Sequence, residues 1–270
     1  MLKPSAIRVT PGMPIATPLR TETSSRSKSA IIAMLVGLTL VAGCTPPPAP
    51  QGINDPNEAM NRKFHEFNKG FDTYIVRPSA FGYGGAAPGP IRNGIQNFAL
   101  NLGTPSDIVN GLLQGRIGEA AQNTLRFAVN TTVGIGGIFD PATILGVDAK
   151  PTDFGETLHV WGVGEGRYLD LPFVGPTTTR DVVGIGVDLV FDPMRFALPT
   201  AEANASTAIQ ILAGLGRRYR YSESIDSVLY QSADSYTQLR VLYLENRRYE
   251  LGQTSEDENF VDPYEDPYAQ

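Results

Sequence analysis

The chain has one cysteine, one tryptophan and two histidines in 270 residues. A single cysteine closes no internal disulfide, and with only His65 and His159 beside it there is no set of residues for a metal cluster. The same scarcity leaves few general bases. No Gly-x-Ser-x-Gly elbow occurs, and His65-Glu66 is followed by Phe67-Asn68-Lys69, so the His-Glu-x-x-His spacing of zinc hydrolases fails. Gly162-Val163-Gly164-Glu165-Gly166 has the look of a phosphate loop but lacks the Lys-Ser/Thr ending and a flanking strand–helix pattern. Its glycines fit turns, tight packing or a hinge instead. Carboxylates are plentiful, yet no pair is singled out by spacing. These residues point away from an enzyme: no catalytic group, metal ligand or cofactor site is assigned.

Positive charge is also short, with 22 Lys and Arg against 28 Asp and Glu and a net charge of −6. Five of the basic residues (Lys3, Arg8, Arg20, Arg26 and Lys28) lie in the first 43 positions beside one acid, Glu22, so the remainder is more acidic still. That excludes nucleic acid, which needs a basic footprint, and simple electrostatic adhesion to anionic lipid. Beyond residue 43 no apolar run approaches the length of a membrane-spanning helix. The longest stretches are 133–139 and 182–191, and Asp188 interrupts the second.

What is present begins near the N-terminus. Arg26 and Lys28 precede an apolar run of about 13 residues, within the range of a signal-peptide h-region and too short to span a bilayer. The run ends in Val41-Ala42-Gly43-Cys44, which resembles a bacterial lipobox. Small residues admit a peptidase, and the Cys44 thiol then takes a diacylglycerol. Two or three acyl chains anchor stably where one is marginal. Thr45, rather than an inner-membrane-retaining aspartate, is compatible with export to the outer membrane. Residues 1–23 are Pro- and Thr-rich and too long for an n-region, which makes Met13 an alternative start. The expected layout is a removed leader over 1–43, a Pro-rich linker over 44–54, one domain over 55–250 and an acidic tail over 251–270. The tail's composition, with Asp262-Pro263-Tyr264 and Asp266-Pro267-Tyr268, predicts disorder or a partner contact.

The domain reads as helices almost throughout. Met60, Phe64, Phe67, Phe71 and Tyr74 follow steps of about 3.6 residues and form an aromatic stripe. Asn61, Arg62, Lys63, Glu66 and Lys69 occupy the opposite face. The stripe suits a lipid-facing exterior and an inter-helix core equally well. Asp55-Pro56 is a start signal for this helix, and Pro78 is expected to end it. Ile91, Ile95, Phe98 and Leu102 predict a second, shorter helix. Thr104-Pro105-Ser106-Asp107 signals another start, before Ile108, Val109, Leu112 and Leu113. A helix follows over 116–132. Near the end, Ser224 opens a long amphipathic segment that Gly252 stops. From 133 to 181 the helical periodicity gives way to Gly, Pro and short apolar clusters. Phe139-Asp140-Pro141 and Phe191-Asp192-Pro193 hint at a weak repeat of an apolar stretch followed by a helix start. His65 is expected as a polar helix residue, partly buried or at the surface, and His159 as structural. Trp161, Tyr168 and Phe173 fit an interfacial anchor or a core.

Together these residues resemble a known family. Asp55-Pro56-Asn57-Glu58-Ala59-Met60-Asn61-Arg62, Phe67-Asn68, Tyr74-Ile75-Val76-Arg77-Pro78, Arg92-Asn93-Gly94, Leu113-Gln114-Gly115, Asn130-Thr131-Thr132-Val133-Gly134, Asp153-Phe154-Gly155-Glu156, Gly162-Val163-Gly164, Leu171-Pro172-Phe173 and Thr179-Arg180-Asp181 are similar, in this order and behind a lipobox, to the MlaA (VacJ) lipoprotein family. The resemblance runs over about 55–192. The long pre-signal segment, the glycine-rich 81–90 connection and the acidic tail depart from it. It implies a mainly α fold: a ring of amphipathic helices lying in one leaflet around a polar channel, with a glycine-rich hairpin or loop region. It implies a lipid-anchored protein on the periplasmic face of the outer membrane. The implied activity is retrograde phospholipid transport, with a trimeric porin and a soluble periplasmic lipid carrier as partners and no cofactor. Gly162 and Gly164 match a channel hinge, Gly134, Gly136 and Gly137 shape the neighbouring hairpin, and Phe67 and Asn68 match a helix that controls leaflet access. A porin-scaffolding lipoprotein that moves no lipid is the rival reading, and a lipid-modifying hydrolase a distant third.

Overall fold

The computed structural model describes residues 52–253, within the unit Cys44–Gln270. Cys44, the leader and residues 254–270 lie outside them. The described chain is mainly helical, as expected. The first helix, α1 (Glu58–Phe71), starts close to Asp55-Pro56, but Asp55 does not cap it. The Asp55 carboxylate is buried between elements, accepting from Asn61 Nδ2 at 2.8 Å, from Arg240 Nη1 at 2.5 Å and from the Tyr236 hydroxyl.

Pro78 does not end the first helix. α1 runs through a π-helical turn, Asp72–Val76, directly into α2 (Arg77–Ala86). The Arg77 N–H reaches back five residues to the Asp72 carbonyl, so the hydrogen-bond ladder is already shifted there. The wider turn accommodates a ring and a missing N–H that a regular α-helix interior would reject. The expected glycine-rich connection over 81–90 is therefore mostly helix. Gly84 has a packing reason: a Cβ there would sit 2.3 Å from the Tyr219 ring.

Two further predicted helices are one. α3 (Gly89–Leu113) passes Thr104 and carries Pro105 inside it. A proline inside a helix costs about 3 kcal/mol. Packing along the length of α4 (Ile117–Thr132) offsets that cost, the two forming a helical hairpin around a turn at Gly115, φ +73°. The predicted limits of α4 hold.

The 133–181 stretch is less irregular than its composition suggests. Two short helices lie in it, α5 (Pro141–Ile144), capped by Asp140, and α6 (Phe154–Val160), capped by Asp153. An antiparallel hairpin follows, β1 (Tyr168–Leu171) and β2 (Gly175–Thr178), with Tyr168 opposite Thr178 and Leu171 opposite Gly175. Thr178 caps α7 (Thr179–Val190), and Asp192 caps α8 (Pro193–Ala197). Both Phe-Asp-Pro sites thus start helices, but the preceding segments are a glycine turn in one case and α7 in the other, so these two segments are not a structural repeat. The periodicity reading assigns nothing to 200–220, where α9 (Thr200–Arg220) lies. The expected long C-terminal segment is broken: α10 (Ser222–Asp226) leads into a second π turn, Ser227–Gln231, and α11 (Ser235–Glu250) restarts behind an Asp234 cap. Gly252, φ +68°, lies two residues past its end.

Burial is inverted relative to a water-soluble protein. Among the described residues, fully buried polar and charged side chains outnumber buried apolar ones, whose core cluster is Tyr168, Tyr236 and Leu244 with Tyr243 against it. The aromatic stripe of α1 and the π turn after it faces out at Phe67, 46% exposed, and Tyr74, 82%, with Phe64 and Phe71 half-buried, while Asn61 and His65 on the other side of α1 are each 2% exposed. Ile, Leu, Val and Phe are likewise exposed along α3, α4 and α7 and over the 133–145 segment. Among the described residues no helix is long and apolar enough to cross a membrane.

Candidate functional site

The inward face of α1 carries Asn61, His65 and Asn68 at steps of four and three, and all three bond the β-hairpin or α11. Asn61 donates to the Tyr168 carbonyl at 3.2 Å and accepts from the Asp170 N–H. His65 has Nε2 2.8 Å from Ser235 Oγ and Nδ1 3.6 Å from Asp170 Oδ2. Far from being a surface residue, His65 is buried. Asn68 donates to Asp170 Oδ1 at 2.8 Å and to the Leu171 carbonyl at 2.9 Å, and accepts the Phe173 N–H at 2.8 Å. Such buried amides stabilise only when every partner is present.

The far end of the hairpin is held by charge. Asp181, at the start of α7, accepts from Arg247 Nη2 at 3.1 Å, the Tyr243 hydroxyl at 2.8 Å and the Thr178 hydroxyl at 2.9 Å. Burial pushes its carboxyl up, but Arg247 and Arg180 more than compensate and hold it below the usual carboxylate range. Between α3, α6 and α7 the balance is opposite. Burial lifts Asp107 to about 6, although it accepts the Thr152 N–H, and lifts Asp188 as well. Burial first, and Arg180 second, lower the His159 imidazole, which favours its neutral form. Among the described residues no group of His, Cys, Asp and Glu has the arrangement of a metal site.

Phe67 and Asn68 meet the hairpin tip. Phe173 has φ +66°, a strained conformation for a phenylalanine, and is 69% exposed. Phe67 and Phe71 both pack edge-on to it, ring centres 5.1 Å away, while Asn68 holds its N–H. Of the three aromatics read together, Phe173 is exposed, Tyr168 is core, and Trp161 is half-buried, donating Nε1–H to the Leu113 carbonyl at 3.1 Å. Gly162, φ +89°, and Gly164 lie just past α6, between two anchors: Trp161 on α3 and the buried Glu165, which pairs with Arg248 at 2.7 Å. Gly134, Gly136 and Gly137 lie outside the β1–β2 hairpin. They form a tight turn after α4, docked on Asn101 of α3, whose Nδ2 donates to the Gly136 carbonyl at 3.2 Å. A Cβ on Gly134 would lie 2.4 Å from two carbonyl oxygens, and one on Gly137 2.4 Å from Asn101 Cβ. The three predicted places thus rest on different partners. Cys44 lies outside the described residues.

Sequence reasoning singled out neither Asp170, Arg240 nor Arg247, which tie distant elements together, and quoted Asp181 only within a matching motif. Asp170 had an indirect signal: Asn68 stands in α1, where a short amide is a poor helix former and needs a buried partner.

Comparison with known proteins gives the family. The MlaA lipoprotein model matches residues 53–250. The chain belongs to the MlaA lipoprotein family. It is 34% identical over 248 residues to the "Intermembrane phospholipid transport system lipoprotein MlaA" of Shigella flexneri and of Escherichia coli (strain K12), covering 90% of this chain and 95% of each relative. It is 32% identical over 189 residues to an uncharacterized protein of Rickettsia felis, covering 70% of this chain and 74% of that one. A solved structure described as "Structural basis for maintenance of bacterial outer membrane lipid asymmetry" superposes with a TM-score of 0.62 at 31% identity, covering 73% of this chain and 98% of the other. Membership of the MlaA family accounts for the mainly helical fold and for the spread of matching motifs across it.

Proposed function

We propose that this chain is an outer-membrane lipoprotein that removes mislocalised phospholipid from the outer leaflet and passes it to a soluble periplasmic carrier, maintaining lipid asymmetry. The observation that carries this reading is the inverted burial. A helix can lie in a leaflet when its backbone is satisfied within itself and its apolar face meets lipid. Apolar exteriors over α1, α3, α4 and α7 suit that environment, and the polar side chains packed inward suit a ring of helices enclosing a route for a charged headgroup. The names of the Shigella and Escherichia relatives point the same way. In this reading residues 1–43 are a removed leader, Cys44 carries the acyl anchor, and 44–54 link it to the 55–250 domain on the periplasmic face. Of the tail expected over 251–270, Leu251 is buried against the domain, and residues 254–270 lie outside the described residues. A trimeric porin is the expected neighbour.

Three groups are assigned roles. The Phe67–Asn68 corner and Phe173 set which leaflet feeds the route. Gly134, Gly136 and Gly137 shape its wall. Gly162 and Gly164 act as a hinge between the Trp161 and Glu165 anchors. Gly162 donates its N–H to the His159 carbonyl at 2.8 Å, so a proline there disturbs the fold as well as the hinge. Gly164→Pro is the cleaner test: transport is expected to be lost while membrane attachment and helix content remain. Normal transport in that variant rejects the hinge.

The decisive experiment measures phospholipid exposed on the outer leaflet of cells lacking the protein, complemented with wild type or with Cys44→Ser. Raised exposure reversed by wild type alone is expected. Unchanged exposure with altered porin assembly overturns transport in favour of a scaffold. Release of fatty acid from vesicles by the purified protein overturns it in favour of a hydrolase.

A further inference from the structure

The last turns of α9 hold three nearby arginines with different fates. Arg218 turns inward, where Asp72 and Asp226 neutralise it at 2.8 and 2.5 Å. Arg217 and Arg220 lie at the exposed surface, and each reaches toward a neutral amide of α3. Arg220 Nη2 donates to Asn93 Oδ1 at 2.6 Å. Arg217 Nη1 donates to the Gln96 side-chain oxygen at 3.2 Å, with the Gln96 amide oriented to donate to the Ala213 carbonyl. Neither forms an ion pair among the described residues, whereas Arg62, Arg126, Arg240, Arg247 and Arg248 each have a carboxylate partner. Cations at a helix C-terminus are favoured by the helix dipole. That accounts for arginines ending α9, and their bonds to α3 fix where the two solvated charges lie.

Asn93, the partner of Arg220, also lines a cleft of about 700 Å³ between α3, the 134–139 turn and α9. Its other walls include Ile91, Ile95, Phe98, Phe139 and Ile209. A cleft of this size lies in the usual range for small-ligand sites. The walls ask for a slender hydrocarbon; Arg220 on Asn93, and Arg217 on Gln96 one turn away, stand beside the cleft without lining it, where they can meet an anion at its edge. Inorganic phosphate leaves the cleft unfilled, and a neutral hydrocarbon leaves the arginines unpaired. Guanidinium forks match phosphate oxygens in pairs. We propose that this cleft seats an acyl chain of one phospholipid molecule whose phosphate is held by Arg217 and Arg220. The assignment rests on the phospholipid-handling reading and adds to it a defined binding place.

The test uses the full chain purified in detergent and phosphatidylglycerol brominated on its acyl chains, which quenches nearby tryptophan. The wild type, whose sole tryptophan is Trp161, is the baseline. Ile209→Trp places a reporter in the cleft wall and Ile91→Trp a second at its mouth, in case the first fills the space. Val183→Trp on α7 reports an exposed apolar site elsewhere. Saturable quenching of either cleft reporter and not of Val183→Trp is expected. Adding Arg217→Gln with Arg220→Gln is expected to raise the half-quenching concentration by about tenfold or more. Diacylglycerol with the same brominated chains is expected to bind correspondingly weakly. Equal quenching of all three reporters overturns the cleft while leaving lipid handling intact. Equal affinity for diacylglycerol and phosphatidylglycerol overturns the phosphate contact. No quenching at any reporter overturns the cleft and the phospholipid reading together.

Discussion

The two faces of α1 belong to two different environments. Inward, Asn61, His65 and Asn68 are engaged with the hairpin and α11, and the seam continues through Asp181 and Arg247. Outward, Met60, Phe67 and Tyr74 are exposed, as are much of α3 and α7. In a water-soluble protein the seam would be the surface and the stripe the core. The contrast teaches where stability and surface chemistry reside: specific polar pairs hold the fold, and the apolar exterior is left to meet an apolar medium. The two regions should therefore respond very differently to substitutions of similar size.

The largest effect is expected at Asp181. Asp181→Ala strands the buried Arg180, which pairs with this carboxylate, and takes from Arg247 one of its acids, leaving it Asp153 and Glu250. Stranding a buried charge costs roughly 3–5 kcal/mol. Thermal unfolding in detergent should show a loss of that size; a loss below about 1 kcal/mol would mean that solvent reaches Arg180 once the carboxylate is gone. Asn68→Ala comes next. It removes two donated bonds and the acceptor for the strained Phe173, with an expected loss of about 1–3 kcal/mol. Hydrogen exchange at the Phe173 amide should accelerate more than at amides of the α3–α4 pair. If it does not, the hairpin tip is held by Phe67 and Phe71 and not by the amide.

The outward and inward stripes were not equally legible. Aromatic spacing located α1, and Asp-Pro pairs located the starts of α5 and α8. The lipobox and the ordered motifs led to the family. Both proline errors have one cause. A proline is a local stop signal, and Pro78 and Pro105 were overruled by a π turn and by the packing of α3 on α4. The aromatic stripe fitted two environments because periodicity defines a face without saying what covers it. Asp55 read as a cap because its partners, Tyr236 and Arg240, lie far along the chain. Arg217 and Arg220 carried no signal, since their meaning depends on a cleft made by three separated segments.

A pH titration separates the regions with a smaller effect and opposite signs. Asp107 has a folded pKa of about 6, above its ordinary 3.8, so the folded state binds more protons between those values. Stability from this group is greatest at the acid side of that window and falls as pH rises through it. The change is roughly 1–2 kcal/mol after allowance for partial exposure. Asp181 is depressed, so its contribution is present above the ordinary carboxylate range and is lost as pH falls through its folded value. Asp107→Asn keeps an acceptor for the Thr152 N–H and should flatten the pH 4–6 slope. A slope unchanged in Asp107→Asn assigns it to another group, Asp188 being the neighbour also raised by burial.

The smallest effect on stability is expected on the exterior. Val183, Ile185 and Val190 on α7 are 52%, 46% and 61% exposed. Exposed substitutions away from special features usually stay within about 0.5 kcal/mol each, so changing all three to Ser should barely move thermal unfolding in detergent. The same triple variant in a Cys44→Ser background, which lacks the acyl anchor, should bind phospholipid vesicles more weakly. Transfer of buried apolar surface is worth about 25 cal/mol per Å², so the loss should reach about tenfold or more in partitioning. A large fall in stability with unchanged vesicle binding would reverse the assignment: α7 would pack against protein, and the apolar exterior would be an interface with a protein partner in place of lipid.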